Sequence, residues 1–201
     1  MGTRNLIAIA KGNGYKLAQY NQWDGYLTGQ GNGILAFFNT PGFDLETFKN
    51  KVDNLYFGDE DEINAIWDKF STNGMMTRDQ SKAFQKSEYG YLSRDTGSDI
   101  LSIIAASNGP MLVQNSIDFA KDSLFCEFAY VIDLNRNVLE LYQGFNQEPL
   151  DPIERFYSAE PDKDGYYPVK LIREISLFDL PESFDELDKE LYSSEDEDGD
   201  E

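Results

Sequence analysis

The residues with the clearest potential for chemistry lie in one glycine-rich stretch, "NQWDGYLTGQGNG", at positions 21–33. It precedes a predicted helix at "ILAFF", and free backbone N–H groups ahead of a helix N-terminus can bind an anion or phosphate. The spacing fits neither a P-loop nor the dinucleotide-binding fingerprint. The structural alternative, which we favour, is a turn that needs glycine for its backbone conformation. The candidate ligand-binding residues are Arg4, Gln22, Trp23, Asp24, Tyr26, Gly29, Gly31 and Gly33.

Arg4 belongs to this candidate site because the first two predicted strands form a hairpin around "GNG" at positions 12–14. In an antiparallel hairpin, Arg4 lies near the end that carries Gln22 and Asp24. An Arg4–Asp24 ion pair would then either fix the loop or line a ligand pocket, and a purely structural pair is the interpretation we favour.

Other reactive chemistry is poorly supported by the composition. The chain has no histidine, which excludes Ser-His-Asp and Cys-His catalysis and histidine-based zinc sites. Thr3 is not expected to act as an N-terminal nucleophile unless the chain is trimmed a second time, because removal of Met1 exposes Gly2. The single cysteine, Cys126, lies among apolar residues and is interpreted as a core residue in a reducing compartment. We therefore predict no catalytic residue, no cofactor and no metal.

Two short motifs resemble catalytic or metal-binding patterns without completing them. Asp95-Thr96-Gly97 is the tripeptide of aspartic proteases, but only one copy occurs, so a turn and helix N-cap before Ile100 is the better interpretation. Asp162 and Asp164 precede a glycine as in a calcium loop, but the closing glutamate is absent, so this segment is predicted to be a turn.

The elements that must position these residues indicate an α+β fold, with an antiparallel sheet built from N-terminal and C-terminal hairpins and covered by helices. Helices are predicted from Asp44 through "FDLETFKNKVDNLY", in "DEDEINAIWDKFS" and in "SDILSIIAAS", and a long loop or small subdomain is predicted at 72–97. The second hairpin is "LFCEFAYVIDL", "NRN", "VLELYQGFN", and "YYPVKLIREISL" is predicted to be an edge strand.

The charge is concentrated at the C-terminus. The net charge is −20, and residues 179–201 hold 12 acidic residues against one lysine. We predict one globular domain at 1–178 and an acidic, disordered tail at 179–201. The tail either keeps the protein in solution or mimics phosphates toward a basic partner, and its candidate partner-binding residues are Glu195, Asp196, Glu197, Asp198, Asp200 and Glu201. Direct nucleic-acid binding is disfavoured, since phosphates would be repelled.

The N-terminal third resembles a group of uncharacterised bacterial, phage and fungal proteins. These proteins begin with Gly-Thr-Arg-Ser/Asn-Leu and continue with Tyr-x-Gln-Trp/Phe-Asp-Gly-Tyr-Pro-x-Gly-x-Gly. The matching residues are Gly2, Thr3, Arg4, Asn5, Leu6, Tyr20, Gln22, Trp23, Asp24, Gly25, Tyr26, Gly29 and Gly31. Leu27 replaces the usual proline, and the later hairpin is similar to that of the phage members. The resemblance implies a shared fold and a mobile-element origin, and it implies no reaction.

Together these features predict a soluble, cytoplasmic, acidic binding protein that does not enter membranes, with a host protein bearing a basic surface as its partner. The specific hypothesis is a phage or mobile-element inhibitor of a host defence factor, acting by protein contact or charge mimicry. The alternative is a small-ligand binder or hydrolase-like enzyme centred on the Arg4/Asp24 glycine-rich loop. Oligomeric state is left open.

Overall fold

The computed structural model describes residues 2–193. Its strands are β1 (Asn5–Lys11), β2 (Gly14–Asn21), β3 (Leu55–Phe57), β4 (Met111–Val113), β5 (Phe128–Asp133), β6 (Val138–Gln143) and β7 (Lys170–Ser176). Its α-helices are α1 (Asn32–Phe38), α2 (Leu45–Val52), α3 (Glu60–Asp68), α4 (Arg78–Gln85), α5 (Asp99–Ala106) and α6 (Asp185–Ser193). Among these residues, no helix is both long and apolar enough to cross a bilayer.

The main sheet has the strand order β2-β1-β5-β6-β7, and both predicted hairpins are present. β7 lies at the edge, as predicted for this strand. The α+β class is confirmed, although the sheet is mixed because the two hairpins join through a parallel pair, β1 with β5. The long chain between these two strands permits a parallel crossover. As a result, β1 and β5 have their carboxyl ends side by side, at the same end of the sheet.

The two faces of the sheet are buried by different kinds of structure. Ile7 and Ile9 of β1 face a large core that includes residues of α1, α2, α5 and α6. Leu6 and Ala8 face a smaller core closed by residues outside the α-helices, such as Phe156. The described α-helices therefore cover one face only, and the other face is packed by a short 3-10 helix (Ile117–Lys121) and by loops. This explains why β1 is almost continuously apolar, since strands buried on both faces lack alternation.

α2 begins at the cap predicted for it, and two α-helices, α4 and α6, were missed. Asp44 caps α2 by accepting the Thr47 N–H at 2.9 Å. The segment at 72–97, predicted to be a loop, contains α4, whose capping box joins Thr77 and Gln80. α3 does not pack on the sheet as expected, because Ile66 forms a separate small core with Phe84 of α4. The prediction of a small subdomain here is therefore closer to the structure than that of a loop.

The predicted boundary at residue 178 is wrong. Phe184 is 1% exposed and belongs to the large core, and α6 follows it. Leu180, Leu187 and Leu191 pack against the same core. The acidic residues of this segment alternate with leucines at helical spacing, as in an amphipathic helix, and Asp185, Glu186 and Glu190 are exposed. Asp188 is half-buried, and burial raises its pKa. The candidate partner-binding residues at 195–201 lie outside the described residues.

Candidate functional site

Three backbone amides of the glycine-rich loop are bonded to carbonyls of the same loop. It contains a π-helical turn over Leu27–Gly31, followed directly by α1. The Gly29 and Gly31 N–H groups both donate to the Tyr26 carbonyl, and the Gln30 N–H donates to the Asp24 carbonyl at 2.8 Å. The N–H groups of Gly29, Gln30 and Gly31 are thus occupied by carbonyls of the loop itself, so the structure favours the turn over the predicted anion site.

Close packing explains the glycine spacing. A Cβ added at Gly29 would overlap the Asp24 carbonyl, and one added at Gly33 would overlap the Ser98 hydroxyl. A Cβ at Gly31 would lie 2.9 Å from the Phe184 ring. Each glycine therefore admits a neighbouring group, which is the structural role of a residue without a side chain.

Arg4 does not pair with Asp24 as the hairpin suggested. Its guanidinium Nε lies 3.7 Å from Glu127 Oε1, and its Cζ lies 4.6 Å from the Phe125 ring centroid. Asp24 instead accepts the Tyr26 hydroxyl at 3.0 Å, and this hydrogen bond raises the pKa of Tyr26. The prediction considered only β2 as the neighbour of β1, whereas β5 pairs on the other side and brings Glu127 next to Arg4.

Trp23 connects the loop to the Asp95 turn. The indole N–H of Trp23 donates to Asp95 Oδ1 at 2.8 Å, and Gln85 of α4 donates to Oδ2 at 2.6 Å. Gln22 accepts the Tyr20 hydroxyl within β2 and its extension. The Asp95 segment is therefore a turn, as predicted, but its carboxylate does not cap α5. It joins two parts of the chain that are distant in sequence.

The structure contains a cavity that sequence reasoning missed, at the carboxyl ends of β1 and β5. Its volume is about 590 Å³. Arg155 reaches into it from the loop before β7 and donates to Asp133 at 2.6 Å and to Glu140 at 2.6 and 2.7 Å. Arg136 pairs with Glu140 at 3.2 Å and also with Glu174. We call this opening the acidic cavity. Its lining residues are Ala10, Gly12, Asn13, Gly14, Tyr15, Asp133, Asn135, Arg136, Glu140, Tyr142, Ile153, Glu154, Arg155, Leu171 and Glu174.

The charged groups of the acidic cavity are strongly coupled. Burial alone would raise the pKa of Asp133, but hydrogen bonds from the Arg136 N–H and Arg155 outweigh it and lower the pKa. Burial and a hydrogen bond to Glu140 raise the pKa of Tyr142, which donates its hydroxyl to Glu140 at 2.6 Å. The lowered pKa keeps Asp133 ionised at neutral pH, and the raised pKa keeps Tyr142 protonated.

The acidic cavity retains an excess of negative charge and an apolar rim. Its lining includes the carboxylates Asp133, Glu140, Glu154 and Glu174 and the guanidiniums of Arg136 and Arg155, which gives 2 − 4 = −2. Ile153, on the lining, is 90% exposed, and Leu171 is also exposed. The sequence signal was Glu140 within "VLELY", a carboxylate in an otherwise apolar strand.

No metal site is formed in the described part of the chain. No group of three or more acidic or cysteine side chains there is arranged to hold a metal ion. Asp162 accepts the N–H groups of Asp164 and Tyr166 at 2.9 Å, so this segment is the predicted turn. Cys126 is buried, and burial raises the pKa of its thiol, consistent with its predicted place in the core.

The chain matches no protein-family model, no curated protein and no solved structure. Its function must therefore be argued from the geometry of its own surfaces.

Proposed function

We propose that the protein acts by binding a basic partner protein and that the acidic cavity receives a lysine or arginine side chain of that partner. The observation that carries the proposal is the net charge of −2 inside a preformed cavity on a chain of net charge −20. Complementary charge steers partners together and suppresses wrong ones. A cation entering the cavity gains attraction that a surface residue in high dielectric does not provide.

The carboxylates in the cavity have different roles. Asp133 and Glu140 are buried and held by Arg155, so they stabilise the fold. Glu154 has no ion pair in the described residues, and Glu174 pairs only with the half-exposed Arg136. An incoming guanidinium or ammonium would bind Glu154 and displace Arg136 from Glu174 toward solvent. This exchange also breaks the 3.2 Å pair between Arg136 and Glu140, but Glu140 keeps its two hydrogen bonds from Arg155.

Ile153 and Leu171 supply the apolar part of the contact. Ile153 is the most exposed large apolar side chain of the described residues. Full burial of one such side chain stabilises a complex by about 1.5–3 kcal/mol before ordering costs. An apolar contact beside a charged pocket is the arrangement in which a few residues dominate binding.

The biological part of the proposal rests on the sequence resemblance. A mobile-element protein that occupies a basic surface of a host defence factor would inhibit that factor by occlusion. The acidic residues at 195–201 would add long-range attraction to the same partner. The alternative centred on Arg4 and Asp24 has less support, because Arg4 pairs with Glu127 and the loop amides bond internally.

The proposal is tested with a fluorescein-labelled octa-arginine peptide and fluorescence anisotropy. The cavity variant is Glu154→Gln/Glu174→Gln, and the matched control is Glu60→Gln/Asp61→Asn on α3, which removes two charges outside the cavity. A third protein ends at Ser193. We expect the cavity variant to weaken binding at least about tenfold, the cost of about 1.4 kcal/mol, while the control stays within about twofold.

Two results would contradict the proposal. Equal weakening by the cavity variant and the control would show attraction by net charge alone. Loss of binding only in the chain that ends at Ser193 would assign recognition to the tail. Binding should also fall steeply with salt, since exposed charges are screened over about 10 Å at 0.1 M ionic strength.

A further inference from the structure

A second cavity, of about 540 Å³, lies between α3, the turn after it, α4 and the Asp95 segment. Its lining residues are Asn64, Trp67, Asp68, Ser71, Gly74, Met76, Ser81, Phe84, Ser93, Arg94 and Asp95. None of them lines the acidic cavity. We call this opening the aromatic cavity.

Aromatic rings form its apolar wall. Trp67 and Phe84 are stacked with centroids 4.6 Å apart and planes inclined by 30°, and Phe70 contacts Phe84 edge-on at 5.4 Å. Phe84 is buried, whereas Trp67 is only half-buried and lines the opening. A flat π system is the ligand shape that such a wall accommodates best.

Several polar groups around this wall have no hydrogen-bond or ion-pair partner in the described part of the chain. The Trp67 indole N–H and the side chains of Asn64, Asp68 and Arg94 make no hydrogen bond or ion pair within residues 2–193. Asp95 differs, because both its oxygens are occupied by Trp23 and Gln85. In the acidic cavity the buried carboxylates Asp133 and Glu140 are likewise occupied, because they pair with Arg155. Ligand sites need polar groups that fix the orientation of the ligand. In the aromatic cavity the exposed side chains of Asn64, Asp68 and Arg94 are such groups, placed around the ring of Trp67.

The wall formed by the turn is built in advance. Thr72 and Met75 exchange backbone hydrogen bonds of 2.9 and 3.2 Å. The side-chain amide of Gln80 in α4 donates to the Thr72 hydroxyl oxygen at 3.0 Å. Asn73 and Gly74 both have positive φ, at 54° and 75°, as expected for an Asn-Gly hairpin turn. Binding therefore does not require folding of this turn, which reduces the entropy cost.

We propose that the aromatic cavity binds a neutral purine as a free base or nucleoside. A purine stacks on the Trp67 side of the wall, Asp68 accepts its ring or exocyclic N–H groups, and Arg94 donates to its ring acceptors, the pairing that arginine makes with guanine O6 and N7. Asp68, Asp95 and Arg94 leave a net charge of −1 on the lining, so a phosphate is disfavoured. The glycine-rich loop takes part only indirectly, because Trp23 positions Asp95 on the cavity wall.

The probe is guanosine, titrated into the full chain by isothermal titration calorimetry. The key variant is Asp68→Asn, and its matched control is Asp61→Asn, an exposed aspartate of the same helix that does not line the cavity. We expect saturable binding, a loss of affinity of about tenfold or more in Asp68→Asn, and a change within about twofold in Asp61→Asn. Guanosine monophosphate should bind more weakly than guanosine.

Fluorescence gives a second readout that a purely structural cavity would not change. The chain has two tryptophans, and stacking of guanosine on Trp67 should quench part of the emission of the full chain. Trp67→Phe leaves Trp23 and its hydrogen bond to Asp95 in place, and it should abolish this quenching. Absence of saturable heat and quenching at millimolar guanosine would overturn the proposal. Equal affinity for guanosine and for unsubstituted benzimidazole would also overturn it, because the polar groups would then play no part.

Discussion

The role of residues 179–193 is tested by replacing one phenylalanine inside this segment and one just before it. Phe184→Ala removes a ring that is 1% exposed and packs against Gly31. The backbone N–H of residue 184, which donates to Asn32 Oδ1 at 2.8 Å, is retained in this variant. Truncation of a fully buried phenylalanine costs about 3–5 kcal/mol. For a domain of this size, each kcal/mol lowers Tm by about 2–4 °C, so we expect a decrease of about 6–20 °C.

The matched control is Phe178→Ala, since Phe178 is 76% exposed. Its free energy of unfolding should change by no more than about 0.5 kcal/mol, as for other surface substitutions. Both variants are compared with the parent protein by urea denaturation followed by circular dichroism. If Phe184→Ala unfolds at the same urea concentration as Phe178→Ala, α6 is not part of the folded domain and the boundary at residue 178 is restored.

Two further substitutions test the buried pairs and the glycine loop. Asp133→Asn should cost about 1.5–3 kcal/mol at pH 7, because hydrogen bonds to an ionised group are lost. The lowered pKa of Asp133 contributes stability at pH values above its unfolded pKa of 3.8. The difference in stability between Asp133→Asn and the parent protein should therefore shrink as the pH falls below 3.8, and urea midpoints measured across pH test this. A difference that stays constant with pH would contradict the role assigned to Asp133. Gly29→Ala should lose about 1–3 kcal/mol because its Cβ overlaps the Asp24 carbonyl, while Gly109→Ala, with open space around it, should stay close to the parent in thermal unfolding. Equal midpoints for the two alanine variants would show that the loop has room to move.

The sequence predicted the local elements of the fold better than their arrangement. Periodicity and caps located both hairpins, α2, α3 and α5, because these signals lie within one short segment. The parallel pairing of β1 with β5 joins segments more than a hundred residues apart, and no local pattern specifies it. α4 was missed because its short apolar stripe is interrupted by polar residues, although the Thr77/Gln80 capping box was readable in the sequence.

The candidate site was less accessible to prediction. The glycine-rich loop was identified as special, and its close packing against Asp24, Ser98 and Phe184 accounts for that. Arg4 was paired with Asp24 instead of Glu127 because no local sequence pattern shows that β5 lies beside β1. The acidic cavity depends on the same parallel pair, since it brings the ends of β1 and β5 together, and on Arg155 from a loop without helical or strand pattern. Such a constellation becomes visible only when the strands are in register.

Arg155 also helps to explain how one face of the sheet is closed without a described α-helix. Its two ion pairs tie the loop before β7 to β5 and β6, and the adjacent Phe156 packs edge-on against Tyr142 with centroids 5.0 Å apart. Removing one partner of a buried pair costs about 3–5 kcal/mol, so Glu140 and Arg155 are each required for the fold. Their charges are therefore unavailable to a partner. Recognition of a basic side chain must depend on Glu154 and Glu174, the carboxylates that the loop does not need.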